Sequence, residues 1–345
     1  MHDLPFLLIV IVLIALAFDF TNGFHDTANA VATVISTRVL TPRVAILMCA
    51  VLNFAGALVS QNVAKTIAKG LVDAHAATQL VVLAAVLGAI TWNLITWWFG
   101  IPSSSSHALI GGLVGATIVY AGVNHVLWNG VWEKVVLPMI FSPLIGAFFG
   151  FLIMAAIYLF FAKSSSGFVS DLFRHLQRLS AAAMAFSHGQ NDAQKTMGII
   201  TLALVAFGAL PGGKDIHIPT WVVLSCATAM ALGTASGGYR IIRTLGHRII
   251  HLEPVNGFAA ETAGSIVILG AGHFGFPVST THVISGSIFG VGIAKRLAGV
   301  RWTVAQRMVA AWVITLPAAG SVAGLCFLLL RFIPEGHAAP AIITH

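Results

Sequence analysis

Gly23-Phe24-His25-Asp26-Thr27-Ala28-Asn29 and, 166 positions later, Gly189-Gln190-Asn191-Asp192-Ala193-Gln194-Lys195 are two versions of one polar motif in an otherwise apolar chain. A second pair follows in the same order. Ile101-Pro102-Ser103-Ser104-Ser105-Ser106-His107 is matched, 175 positions later, by Phe276-Pro277-Val278-Ser279-Thr280-Thr281-His282. Two motifs repeated in one order at similar offsets mark a duplicated unit. The first copy takes residues 1–162 and the second 179–333. A basic stretch, 163–178, reads as a cytoplasmic linker, and 334–345 as a short frayed tail.

The surroundings of these motifs set the fold class. Of 345 residues, 58% are hydrophobic and 8% charged, with a mean hydropathy of +0.93, whereas soluble domains carry about 25% charged residues. Uncharged runs recur at 4–18, 44–63, 80–100, 109–123, 135–162, 221–238, 265–272, 283–294 and 309–330. A spanning helix needs about 20 such residues. The expectation is an all-α integral membrane protein of about 10–12 transmembrane helices, forming one membrane domain among lipid. Met1-His2-Asp3 lacks the basic start of a cleaved signal, so the first apolar run is expected to stay as the first span. The net charge of +7 fits cytoplasmic loops and anionic headgroups rather than nucleic acid. Cys49, Cys226 and Cys326 lie in apolar runs without metal-ligand spacing and read as small hydrophobes.

Basic residues orient the halves. Lys163, Arg174 and Arg178 place the linker inside, and so do Arg240, Arg243 and Arg248 for the loop after the span that starts at Trp221. Pro211-Gly212-Gly213 then falls outside. Lys295, Arg296 and Arg301 return the chain to the inside after a segment, 257–294, that dips in and back. In the first half, Arg38 and Arg43 lie inside, which puts the N-terminus outside; the last span also ends outside. Each element of half one thus runs opposite to its partner in half two. Such an inverted-topology repeat is characteristic of secondary transporters.

Asp19, Asp26, Asp192, Lys195 and Glu261 fall in apolar territory, where a charge costs a few kcal/mol and normally faces a functional cavity. Carboxylates with amide oxygens, as in Asp26 and Asp192 with Asn22, suit a hard cation. The amides Asn29, Asn191 and Gln194, with Lys195, suit an oxyanion. Gly23 and Gly189 can interrupt a helix, so breaks are expected near 19–30 and 186–196. Each Pro-led Ser/Thr segment carries helix-start signals, so re-entrant or broken helices are expected near 100–108 and 274–283. A helix N-terminus offers free N–H donors and about half a positive charge. Two of them, with hydroxyls from Ser103, Ser104, Ser105, Ser106, Ser279, Thr280 and Thr281, could clamp one tetrahedral oxyanion. His25 and His188 stand close to the aspartates; His107 and His282 are equivalent positions that could cap, hydrogen-bond the anion or relay protons.

Enzyme readings lack their motifs: neither His-Glu-x-x-His nor Gly-x-Ser-x-Gly occurs. No bound cofactor or fixed metal is expected. Inverted repeats with central carboxylates favour a carrier over a channel.

The two aspartate motifs, Pro102–His107, Pro277–His282 and Glu261 in Ala259-Ala260-Glu261-Thr262 resemble the inorganic phosphate transporter (Pit) family over almost the whole chain. His25 stands where the general pattern has Asn, and Asn22–Ala30 is similar to the bacterial low-affinity branch. The resemblance implies a symporter of inorganic phosphate in the inner membrane. It implies a homodimer with one site per protomer, coupled to H⁺ and carrying phosphate alone or complexed with a divalent metal such as Mg²⁺. Phosphate would then meet Ser103–Ser106, Ser279, Thr280, Thr281, Asn29, Asn191, Gln194 and Lys195. The coupling ion would meet Asp26, Asp192, His25, Asn22 and Glu261. Na⁺ coupling, as in other branches, and sulfate as the substrate are the alternatives.

Overall fold

The computed structural model describes residues 4–69, 71–73, 76–212, 216–247 and 249–332. Helices dominate: α1 (Leu4–Ser36), α2 (Pro42–Ala57), α3 (Asn62–Lys69), α4 (Gln79–Phe99), α5 (Ser105–Ala121), α6 (Trp128–Val131), α7 (Leu137–Phe160), α8 (Ser166–Phe207), α9 (Thr220–Ser236), α10 (Tyr239–His247), α11 (Pro254–His273), α12 (Thr280–Lys295) and α13 (Trp302–Leu330). Four helical stretches, Phe6–Ser36, Gln79–Phe99, Trp128–Phe160 and Trp302–Leu330, are long and apolar enough to cross a membrane. They become six if the bent pairs α2–α3 and α9–α10 each count as one crossing. The larger number expected from sequence also counts helices such as α8 and α11, whose buried polar residues lower their hydropathy.

The order of elements repeats. A long helix carrying the aspartate motif (α1, α8) leads to a pair bent by 68° or 73° (α2–α3, α9–α10). An apolar helix (α4, α11) then turns through a left-handed glycine, Gly100 or Gly275, with φ of 64° and 74°. Ser104 and Ser279 cap the next helices, α5 and α12, by accepting from the His107 and His282 N–H groups. A long helix with an internal proline, Pro143 in α7 or Pro317 in α13, closes each half.

Packing repeats too, and it crosses between the halves. α1 lies on α9 as α8 lies on α2, and α5 lies on α13 as α12 lies on α7. This intertwining is consistent with the inverted duplication. The short amphipathic helices follow the rule: Asn62 at the start of α3 donates to His273 O (3.0 Å), and Arg240 near the start of α10 donates to Trp98 O (2.5 Å). Each accepting carbonyl lies two residues before its left-handed glycine.

The structure corrects two expectations. First, α1 and α8 run unbroken through 19–30 and 186–196. Gly23 and Gly189 are contact points rather than breaks: a Cβ on Gly23 would lie 2.4 Å from Met230 O, and one on Gly189 2.2 Å from Asn53 O. Only a hydrogen lets the crossing helices approach so closely. The expected re-entrant starts near 100–108 and 274–283 do fall in the loops ahead of α5 and α12. Second, most of 163–178 is not a linker. Ser165 caps α8 by accepting from Phe168 N, and buried Phe173 packs edge-on against Phe161 and Phe258. The join shortens to the few residues between α7 and α8. Gly213, Arg248 and the tail 334–345 lie outside the described residues.

Gly189→Ala is expected to cost about 1–3 kcal/mol through overpacking, seen as a lower thermal midpoint of the detergent-solubilised protein. Gly167→Ala is the control, because a Cβ there meets nothing within 4 Å.

Candidate functional site

Helical spacing puts Asn22, Asp26 and Asn29 on one face of α1, and His188, Asp192 and Lys195 on one face of α8. All six are buried. Each face reaches across to the opposite half. Asn29 Nδ2 donates to Thr281 Oγ1 (2.9 Å) and Thr280 Oγ1 (3.2 Å) on α12. Its repeat partner, Lys195, donates to Ser106 on α5, and to Asp192 and Val278 O (2.9 Å). Asn29–Thr281 and Lys195–Ser106 are one interaction written twice, with an amide in one copy and an ammonium in the other.

These contacts draw together the first turns of α5 and α12. Behind them the His107 and His282 rings meet at 4.7 Å, and His282 stacks on Trp312. With Ser104 and Ser279 as caps, the N–H groups of Ser105, Ser106, Thr280 and Thr281 have no intrahelical acceptor. They form a donor-rich centre with Lys195 and nearby hydroxyls. The Ser105 hydroxyl is buried and makes no hydrogen bond. Ser103 Oγ instead donates to Thr96 Oγ1 (2.8 Å) and lies 3.5 Å from His25 Nε2.

The carboxylates stand against this centre. Thr280 Oγ1 donates to Asp192 Oδ2 (3.0 Å), and His25 Nδ1 lies 2.7 Å from Asp26 Oδ1. Ligand atoms of Asp26, His188 and Asp192 all lie within 4.8 Å of one another, a cluster able to hold a metal ion. The donor set fits that use. Asn53 Nδ2 donates to Thr234 Oγ1 (2.8 Å), so Asn53 Oδ1 faces His188 Nδ1 (3.1 Å) and receives its proton. His188 Nε2, 3.2 Å from Asp192 Oδ2, then keeps its lone pair. A ligating imidazole commonly donates its other nitrogen in this way.

Not every expected residue joins the centre. Gln194 Oε1 accepts from Val63 N (2.8 Å) and Ala64 N (3.3 Å), tying down the start of α3. Glu261 builds a separate cluster, accepting from Thr33 (2.5 Å), Gln177 (3.1 Å) and Ser180 (2.5 Å). Asn191 Nδ2 reaches Phe276 O at 3.5 Å, and its Oδ1 makes no hydrogen bond. Asn22 is buried beside Asp19. Two contributors escaped the sequence reading: Asn53 and Thr96 lie in largely apolar helices, with no motif to flag them.

Comparison with known proteins bears on the family and the fold. Residues 22–323 match the model of the phosphate transporter family. A Bacillus subtilis protein named "Probable low-affinity inorganic phosphate transporter" is 48% identical over 335 residues, covering 96% of this chain and 100% of its own. A Mycobacterium tuberculosis protein of the same name is 50% identical over 328 residues, covering 95% and 78%. A solved structure described as "The sodium-dependent phosphate transporter" superposes with a TM-score of 0.87 at 24% identity, over 95% of this chain and 100% of that one, and so shares the fold. A multi-pass helical membrane protein with this architecture and these relatives is no enzyme: the chain belongs to the phosphate transporter family.

Proposed function

We propose that this chain is a symporter that brings inorganic phosphate across the inner membrane together with H⁺. The observation that carries the reading is the paired contact Asn29–Thr281 and Lys195–Ser106. It sets two helix N-termini, their hydroxyls and an ammonium beside two carboxylates. The donors suit a tetrahedral oxyanion. The carboxylates favour phosphate over sulfate, because hydrogen phosphate can donate a hydrogen bond to Asp26 or Asp192 and sulfate cannot.

Phosphate arrives with one to two negative charges, and an inside-negative potential opposes each by about 2.3 kcal/mol per 100 mV. Cations must therefore accompany it. His25 bridges Asp26 and Thr96 (2.7 and 3.1 Å). An imidazole so placed can relay a proton and links the carboxylate to the α4–α5 loop. The Asp26, His188 and Asp192 group supports a second reading, in which phosphate travels as a complex with a divalent metal. Bound there, the metal would neutralise the anion; His188 and the two aspartates would hold it, and Asn53 would orient His188. The exposed apolar faces of α7 (Phe141, Leu144, Phe148) and α13 (Val309, Val313) are available to lipid and to a second copy in a homodimer. The distribution of basic residues puts both termini on the periplasmic side.

Labelled phosphate uptake into liposomes tests the function. Uptake driven by an imposed proton gradient, enhanced by Mg²⁺ and resistant to excess sulfate is expected. Sodium-driven uptake would replace the coupling ion, and full inhibition by sulfate would overturn the substrate. Asp26→Asn and Asp192→Asn should each lower concentrative uptake by at least tenfold; intact uptake in both would remove the carboxylates from the mechanism.

Lys195→Met leaves Asp192 without its ammonium, a loss on the order of 3–5 kcal/mol for a broken buried pair. A thermal scan should show that destabilisation, and show it largely relieved in Asp192→Asn/Lys195→Met. Neither variant is expected to transport phosphate.

A further inference from the structure

A cavity of about 480 Å³ opens at the bend between α2 and α3, lined by Ser60, Asn62 and Lys65, by Gln190 of α8 and by His273 at the end of α11. That volume falls within the roughly 300–1,000 Å³ of small-molecule sites. Its polar lining is hydroxyl, amide, ammonium and imidazole, with no carboxylate. Lys65 is exposed, and its ammonium makes no hydrogen bond or ion pair among the described residues. On the orientation proposed above, this end of α3 lies outside, where short loops are poor in lysine. Ser60 Oγ accepts from Asn62 N (3.4 Å), which leaves its hydroxyl proton free to donate. Gln190 Oε1 makes no hydrogen bond. The cavity backs onto the donor-rich centre. Asn62 Nδ2 donates to His273 O (3.0 Å), and a Cβ on Gly275 would lie 3.1 Å from Thr66 Oγ1, so the start of α3 packs on the loop after α11. That loop continues to Val278 O, which accepts from Lys195, and to Ser279–Thr281. Gln190 stands two residues before Asp192.

We infer that this cavity is a first station for hydrogen phosphate, separate from the donor-rich centre. The inference rests on the phosphate reading above and adds a place where the anion is held before it reaches that centre. Lys65 supplies the positive charge. The His273 imidazole, the Ser60 hydroxyl and the second Asn62 Nδ2 proton are further donors. Lysine binds phosphate as a point charge, without the bidentate grip of arginine, which suits an anion that must move on. A P–OH group can donate to Gln190 Oε1, whereas sulfate and chloride have no proton to give. The two halves differ here. At the matching end of α10, Arg240 lies over the Trp97 and Trp98 rings and donates to Trp98 O. Its guanidinium is engaged within the protein, and the Lys65 ammonium is not, so the station belongs to the α3 end.

The test is ligand protection of a thiol placed in the cavity. Purified Ser60→Cys/Cys326→Ser is modified with a maleimide at constant ionic strength; Cys49 and Cys226 are buried. Saturating inorganic phosphate is expected to slow modification about tenfold, and sulfate to slow it far less. Adding Lys65→Ala should raise the half-protecting phosphate concentration about tenfold, the loss of one hydrogen bond to a charged group, and adding Lys65→Arg should restore it. Protection should persist when Asp192→Asn/Lys195→Met removes the central ammonium. Uptake supplies a second readout if the cysteine variant fails to fold: Lys65→Ala should raise KM about tenfold, with Lys65→Arg near the wild type. No slowing by phosphate, equal slowing by sulfate, unchanged protection or KM in Lys65→Ala, or loss of protection in Asp192→Asn/Lys195→Met would each overturn the station. Protection is read without transport, so failure of the transport reading, seen as no phosphate uptake by the wild type, is a separate result.

Discussion

The ammonium of Lys195 is buried, and at membrane depth it can persist only where oxygens surround it. Those oxygens come from three elements: Asp192 on its own helix α8, Ser106 at the start of α5, and Val278 O just ahead of α12. Much of the architecture follows from that requirement. The chain must bring two helix starts from different halves to one point. The loops ahead of α5 and α12 must be non-helical there, which a membrane tolerates only when they are enclosed by protein. The helices carrying the motifs must also approach their neighbours closely enough to enclose them. Gly23 against Met230 O and Gly189 against Asn53 O provide that approach.

The residues legible in the sequence were those whose type and spacing repeat. Asp26 and Asp192, Asn29 and Lys195, and the two Ser/Thr segments stood out because polar groups in apolar runs recurred in order, and the structure brings them into one cluster. What the repeat could not show was how each residue is used. Glycine permits both a helix break and a close crossing, and only the neighbouring backbone decides between them; at Gly23 and Gly189 it is a crossing. Gln194 sits in the motif, but the start of α3 takes its side chain, a long-range contact with no local signature. Glu261 lies in a polar group of its own with Thr33, Gln177 and Ser180. Asn53 became visible only through the histidine it orients. The basic composition of 163–178 concealed the apolar position Phe173 that holds the start of α8 in place.

The repeat is imperfect where charge matters. Asn22, His25 and Asn29 in α1 correspond to His188, Asn191 and Lys195 in α8. One motif is therefore built around a histidine adjacent to its aspartate, and the other around an aspartate flanked by a histidine and a lysine. The duplication supplies the frame, and these exchanges make its two copies different: an acid–imidazole pair facing the α4–α5 loop, and an aspartate with a histidine and a lysine facing α12.

The contacts at the ends of the bent pairs have an energetic corollary. Arg240 holds Trp98 O while its guanidinium lies over the Trp97 and Trp98 rings, and Thr244 Oγ1 adds a bond to Gly100 O (2.9 Å). At the matching place Asn62 makes one amide bond to His273 O. The α10 end is thus held by a guanidinium backed by two indoles, and the α3 end by the Asn62 amide together with Gln194, which accepts from the Val63 and Ala64 N–H groups.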